Sequence, residues 1–348
     1  MPLRFAINGF GRVGRALLRA AAARPAIELA AVNDVVPAPV LARLLARDTV
    51  HGPYPGEVRS DDLADLNDLN GGALVIDGRR IPVFQEPDPA RVPWEGVEAV
   101  VEATGRFIRR DLAAGHLRNG VRTVIVSANA EGVDATVCLG LNEGDFDPDR
   151  HTVISNASCT TNCLALMAKV LHDAFGVRRA LMSTVHSYTE NQRLLDLPHP
   201  DPRRSRAAAL NIIPTSTTAA HAVGLVLPAL AGRIDGFAVR VPTAAVAMLD
   251  LVAELDLDAP AEAVRQAFRA AAEGPLAGVL GVTDEELVSS DFVNDPRSAV
   301  IDLPLVQSLG DKEGRLVRVV AWYDNEWGYA HRLADLLEIV ARHAAPSI

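Results

Sequence analysis

Residues 4–34 read RFAINGFGRVGRALLRAAAARPAIELAAVND, and this stretch decides the fold. RFAINGF is a short apolar run of strand length. In the following GRVGRALLRAAAAR, helical spacing sets Val13, Leu17, Leu18 and Ala21 on one face and the arginines on the other. IELAAVND is a second strand. Strand, helix and strand in this order make a βαβ unit, which predicts a parallel sheet with a right-handed crossover. Gly9, Gly11 and Gly14 match G-x-G-x-x-G at the strand-to-helix turn. The pattern alone is weak, because glycine-rich turns are common. Here it opens a helix, where close backbone approach lets the N-terminus meet a pyrophosphate, and Asp34 closes the next strand. A carboxylate there accepts hydrogen bonds from an adenosine ribose and repels a 2′-phosphate. The expected cofactor is NAD, not NADP.

Working outward, GVEAVVEATG, RTVIVSA, ATVCLGL and HTVISNA are further strand candidates, so the first half reads as doubly wound. After residue 158 the texture changes. CTTNCLALMAKVLHDAFG is a helix candidate, and RRALMSTVHSYT, IDGFAVRVPT, AVAMLDLVAEL and RLVRVVAWYD alternate as strands of a mostly antiparallel sheet. Between them, the Pro- and Arg-rich ENQRLLDLPHPDPRRSRAAALNIIPTSTTAAH is too long for an idle connection and predicts a functional or interface loop. A final helix, GYAHRLADLLEIVARHA, carries Leu333, Leu336, Leu337 and Val340 at helical spacing.

A length of 348 residues predicts two domains, and 49% apolar residues allow a large core. The net charge of -10 argues against nucleic acid or an anionic membrane as the main partner. The N-terminus lacks the apolar stretch of a signal peptide and no long apolar run occurs, so a soluble, cytoplasmic protein is expected. Three cysteines in so long a chain make no disulfide framework, and no metal-ligand spacing is present, so no structural metal is expected.

SNASCTTNC, residues 155–163, holds two of those cysteines at the junction of the two halves. Cys159 falls in the first turn of a helix, where the macrodipole stabilises a thiolate and lowers its pKa. It is the candidate nucleophile. Cys163, a turn further in, and Cys138, in an apolar strand, suit buried, inert roles. His186, at the end of the strand in STVHSYT, is the candidate base, although a lone histidine is more often structural.

INGFGRVGR, DTVHG, SNASCTTNCLA, TVHSYT, RVPT and WYDNEWGY occur in the order found in bacterial-type glyceraldehyde-3-phosphate dehydrogenases. The resemblance spans essentially the whole chain, and erythrose-4-phosphate dehydrogenases share most of it. It implies Cys159 as nucleophile and His186 as base. It further implies Asn8, Gly9, Phe10, Gly11, Arg12 and Val13 at the pyrophosphate turn, with Asn33 and Asp34 at the adenosine. Thr104, Gly105 and Ser127 match other cofactor-side positions, and Asn325 resembles the residue that orients the nicotinamide carboxamide. Ser158, Thr160, Thr189, Arg206, Thr217, Thr218 and Arg240 fall on the two anion sites, for a sugar phosphate and inorganic phosphate. Leu197 and Pro198 match the loop of NAD-using members. Asn191 stands where most bacterial members have Asp, and Thr218 where many have Gly.

The expected architecture is an α/β Rossmann NAD-binding domain, residues 1–158 and 324–348, enclosing an α+β catalytic domain of residues 159–323. The expected activity is NAD-dependent phosphorylating oxidation of glyceraldehyde 3-phosphate through a cysteine thioester. The alternatives are erythrose 4-phosphate as substrate, or a catalytically idle NAD-binding interaction protein. The resemblance also implies a homotetramer in which the loop around residues 190–210 reaches a neighbour's cofactor.

Overall fold

The computed structural model describes residues 1–61, 70–310 and 314–344. The chain divides into two compact units, one of Met1–Val137, Gly144–Ala157 and Ala330–Ile348, the other of Cys138–Glu143 and Ser158–Tyr329.

The first unit contains strands β1 (Leu3–Asn8), β2 (Ile27–Asn33), β3 (Arg47–Asp48), β4 (Gly52–Pro53), β5 (Val58–Asp61), β6 (Asn70–Ile76), β7 (Arg79–Phe84), β8 (Ala99–Glu102), β9 (Thr123–Val126), β10 (Ala135–Thr136) and β11 (Val153–Ser155). Strands β3 and β4 pair with each other. The other nine form one sheet in the order β10-β11-β9-β8-β1-β2-β7-β6-β5. Pairing is parallel from β10 through β7 and antiparallel at the β7–β6–β5 edge. The chain leaves β1 toward β2 on one side and later occupies β8 on the other, so the ends of β1 and β8 flank a topological switch point, where open α/β sheets bind ligands. Helices α1 (Arg12–Ala21), α2 (Ala38–Ala46) and α3 (Arg110–Ala113) belong to this unit. Leu17 and Leu18 of α1 are buried as its spacing predicts, but so is Arg15. Its guanidinium donates to the Phe10 carbonyl at 3.1 Å and lies 3.9 Å from Asp48, which satisfies a charge the pattern would have left in water. ATVCLGL forms a strand only over Ala135–Thr136. Beyond it the chain turns at Gly140 (φ 80°), and the Cys138 N–H donates to Asn142 Oδ1 instead of a strand partner.

The second unit contains α4 (Cys159–Phe175), α5 (Ala219–Val226) and α6 (Ala261–Glu273). Its strands are β12 (Val177–Ser187), β13 (Ile213–Thr215), β14 (Ile234–Val241), β15 (Ala247–Leu255), β16 (Leu280–Thr283), β17 (Ala299–Asp302), β18 (Gln307–Leu309) and β19 (Leu316–Tyr323). They form an eight-stranded sheet in the order β13-β14-β12-β15-β19-β17-β16, with β18 also paired to β19. Only β12–β14 and β16–β17 are parallel. Helix α7 (Trp327–Ala344) starts in this unit, and its residues from Ala330 onward belong to the first. Among the described residues, no helix is long and apolar enough to cross a membrane.

Candidate active site

In the first unit, parallel register brings Asn33, Asn8 and Glu102 side by side at the ends of β2, β1 and β8. All three are buried and bonded to one another. The Asn33 amide donates to Asn8 Oδ1 at 2.6 Å, and the Asn8 amide donates to Glu102 Oε2. Glu102 also accepts from the Thr104 N–H at 2.8 Å and from the Thr104 hydroxyl. The indole N–H of Trp94 donates to His116 Nδ1 at 3.1 Å, which leaves His116 Nε2 to donate to Glu102 at 3.2 Å. These bonds hold Asn8 and Asn33 to each other and to Glu102 at the strand ends, which the resemblance assigns to the cofactor. They brace the strand ends beneath it.

Above this brace the backbone turns at Gly9 (φ 93°), where a Cβ would lie 2.7 Å from the Thr104 nitrogen. A Cβ at Gly14 would run into the Gly9 carbonyl, so helix and turn close only with glycine at both. Gly11, the N-cap of α1, has nothing within 4 Å of a Cβ position and offers no side-chain cap. The space beside Gly11, at the start of α1, suits a pyrophosphate. Asp34 accepts from the Phe10 N–H at 2.7 Å and the Val36 N–H at 3.1 Å, which ties the acidic group to the turn and leaves lone pairs for ribose hydroxyls. These features fit NAD. Phe10 is buried and contributes backbone only, while Val13 is half-buried. Arg12 is held by Asp48 at 3.3 Å. Gly105 (φ 69°) has open space around a Cβ position, and the Ser127 N–H donates to the Glu102 carbonyl at 2.9 Å.

The second unit carries the reactive groups. Ser158 caps α4 by accepting the Thr161 N–H at 3.1 Å, so Cys159 becomes the first helical residue. Its Sγ lies 3.8 Å from His186 Nε2. His186 is buried near the end of β12, in register with Arg240 on β14 and Ala247 on β15. Arg240 Nη1 is 2.6 Å from His186 Nδ1 and donates to the Ser187 carbonyl at 2.9 Å. Arg240 forms no ion pair with a carboxylate among the described residues, and its Nε is buried with no partner. A cation drawn from water without a carboxylate calls for an anionic ligand.

Burial pushes the Cys159 thiol above its ordinary value, with the Arg240 charge and bonds to Thr160 pulling it back. This reverses the expectation from helix position: the macrodipole acts at the helix start, but desolvation of the thiolate outweighs it. His186 is pushed down to about 3, by burial first and then by Arg240. Cys138, pushed up to about 12 by burial, and Cys163, raised well above 9.0, are buried as inert thiols would be.

Tyr323 supports this cluster from beneath. Its hydroxyl lies 2.9 Å from both Thr160 Oγ1 and Thr184 Oγ1, and its ring is edge-on to His186. Thr160 spends its hydroxyl there and Ser158 spends its own on the cap, so neither is left solely for an anion. Asn325 Oδ1 accepts from the Ser187 hydroxyl at 3.0 Å, which turns its amide nitrogen toward another acceptor. Thr189 is half-exposed, with its N–H on Gln192 Oε1 at 3.1 Å. Thr217 Oγ1 accepts the Ala219 N–H at 3.2 Å, and Thr218 is the N-cap of α5 without a side-chain cap bond.

Arg206 does not join the cluster. It is exposed and paired with Asp196 at 2.9 Å, because the loop carries its side chain outward. Arg204 takes the inward place: it donates to Thr215 Oγ1 at 2.8 Å, and its charge lowers the Arg240 value. The run RRSR signals a basic site but has no period from which to choose the arginine. Asn191 Oδ1 lies 3.1 Å from His199 Nε2, whose Nδ1 accepts the Asp201 N–H at 2.9 Å. The neutral amide thus accepts from an imidazole N–H within the loop.

Residues 158–325 match the family model of the glyceraldehyde 3-phosphate dehydrogenase C-terminal domain, and residues 3–110 match that of its NAD binding domain. Similar full-length relatives are glyceraldehyde-3-phosphate dehydrogenase 2 of Streptomyces arenae and glyceraldehyde-3-phosphate dehydrogenase of Geobacillus stearothermophilus, each 50% identical over 343 residues, 98% of this chain and 99% of the relative. Glyceraldehyde-3-phosphate dehydrogenase 1 of Bacillus subtilis is 51% identical over 344 residues, again 98% and 99% of the two chains.

Proposed function

The chain belongs to the glyceraldehyde-3-phosphate dehydrogenase family, and from that premise we propose that it oxidises glyceraldehyde 3-phosphate to 1,3-bisphosphoglycerate with NAD and inorganic phosphate. The observation that carries this reading is Arg240, a buried guanidinium without a carboxylate partner beside the Cys159–His186 pair. It gives the nucleophile an anion-bearing substrate.

Cys159 Sγ forms a bond to the aldehyde carbon, and its proton passes through His186 to the carbonyl oxygen, giving a hemithioacetal. The Cys159 backbone N–H, at the helix start, assists the developing oxyanion. His186 Nε2 next takes the hydroxyl proton as the carbon loses hydride, leaving a thioester on Cys159. NAD, when bound, would supply the hydride acceptor, and the backbone of the Gly9–Gly14 turn and the Asp34 carboxylate would hold it. An oxygen of inorganic phosphate attacks the thioester, the C–S bond breaks, and the leaving thiolate recovers a proton from His186.

The test compares sugar phosphates with and without inorganic phosphate, following NADH. Glyceraldehyde 3-phosphate should be used with a kcat/KM at least ~10-fold above that of erythrose 4-phosphate, roughly 1.4 kcal/mol in transition-state binding. Turnover should need phosphate or arsenate and vanish in Cys159→Ser. Phosphate-independent turnover with erythrose 4-phosphate preferred would transfer the assignment to that relative. The exposed apolar side chains Leu194, Leu195, Leu197, Leu210 and Ile212 on and beside the long loop support a homotetramer. Three free cysteines suit a cytoplasmic setting.

A further inference from the structure

Beyond β12 the chain makes a tight turn in which Glu190 and Asn191 are exposed and Gln192 is folded back until it is 9% exposed. The Gln192 N–H donates to the Thr189 carbonyl at 2.9 Å, and Gln192 Oε1 accepts from the Thr189 N–H at 3.1 Å. This second bond fixes which way round the carboxamide lies. A backbone N–H can only donate, so the amide oxygen must face it and the NH2 group must face away. Gln192 Nε2 is buried there with no hydrogen-bond partner. A buried donor left unpaired is costly, and native proteins rarely keep one without an acceptor to receive it.

The turn begins where a second such group is found. His186 and Ser187 pair in register with Arg240 and Val241, and the Tyr188 N–H extends the contact by donating to the Thr243 carbonyl at 3.2 Å. Thr189 thus follows directly on the strand ends that carry Arg240, whose Nε is likewise buried and unpartnered. Guanidinium and carboxamide NH2 groups donate only. A water or hydroxyl would bring hydrogens of its own that neither can receive. A phosphate monoester brings three terminal oxygens that accept from several donors at once and ask for none in return.

We propose that Gln192 is a specificity-determining residue of this site: its carboxamide nitrogen donates to the phosphate of the substrate, the same anion that Arg240 holds. One end of the amide sets the turn and the other reads the ligand. The inference rests on the reading of the substrate as a sugar phosphate and adds to the buried cation a neutral donor of fixed direction.

Gln192→Glu keeps an oxygen for the Thr189 N–H, replaces the NH2 donor by an acceptor and sets a negative charge against the anion. The full-length variant is compared with the wild type for kcat/KM on glyceraldehyde 3-phosphate and on glyceraldehyde, which has the aldehyde without the phosphate. The ratio of the two should fall at least ~10-fold, the loss expected of one hydrogen bond to a charged group. Binding of sn-glycerol 3-phosphate, followed by calorimetry, should weaken in parallel. The contact itself is read in the wild type, labelled with 15N at its four glutamine side chains. Gln192 is the one buried glutamine of the four, so slow exchange with solvent identifies its NH2 group. One of its protons should move downfield on saturation with sn-glycerol 3-phosphate. If the variant does not fold, this spectrum decides. A ratio that Gln192→Glu leaves unchanged, or a Gln192 signal that saturation leaves unmoved, would overturn the inference, because the amide would then only hold the turn. So would a KM for inorganic phosphate that rises while the ratio stands, since the donor would then serve the other anion. A wild type that does not favour glyceraldehyde 3-phosphate over glyceraldehyde removes the sugar-phosphate reading itself, and this inference with it.

Discussion

His186 ties the site to acid stability through one proton. Its value falls from 6.5 to about 3 on folding, so below 6.5 the unfolded chain binds the proton and the folded one does not. The stability it contributes is complete above 6.5 and is lost as pH falls toward about 3. His186→Gln cannot take that proton. Thermal midpoints measured across this range should show the variant gaining on the wild type as pH drops, and parallel curves would refute the buried neutral imidazole. At Asp34 the carboxylate bonds the Phe10 N–H, so Asp34→Ala should weaken NAD binding by at least about tenfold, the equivalent of one charged hydrogen bond. It should also narrow the preference over NADP, measured as a ratio of kcat/KM values. Cys159 and His186 were legible as candidates because each sits at an element end that periodicity locates. The direction of the Cys159 shift was not, because a sequence displays a helix start but not the desolvation around it.

Among the elements, α4 shows most directly how a helix presents a nucleophile. Ala157 precedes the cap in the left-handed region (φ 55°), and Ser158 then reverts to extended backbone and takes up the Thr161 N–H. The reversal aims the first turn, and with it Cys159, at the end of β12. Ser158→Ala should lower stability by about 1 kcal/mol in denaturant unfolding, and should cost more in kcat than that loss implies if the cap also aims the sulfur. The βαβ start was readable from periods alone, as were the four long strands of the second unit. The Glu102 brace was not. Asn8 and Glu102 are neighbours because β1 and β8 pair in register across 94 residues of sequence, and no local pattern encodes that pairing. The RRSR loop failed for the opposite reason, since its three arginines are close in sequence but have no regular element to assign their directions.

For the molecule as a whole, the resemblance named the motifs, while the structure adds how the chain is threaded through them. The first unit draws on three separate stretches, and the last of these supplies buried Leu333, Leu336, Leu337 and Ile339 to it. A chain cut before Ala330 should lose NAD binding, read by calorimetry, even though every residue of the glycine turn is retained. The second unit, by contrast, is nearly continuous from Ser158 to Tyr329. During translation its residues have all emerged before the stretch that completes the first unit, so the usual order in which N-terminal domains fold first is inverted here. Stalled nascent chains of increasing length, probed by brief proteolysis, should become resistant first in the middle of the sequence and only afterwards at its beginning. Until α7 arrives, the dinucleotide turn waits on the ribosome as an unfinished sheet, and a chaperone that shields it would have to act on the oldest part of the chain last.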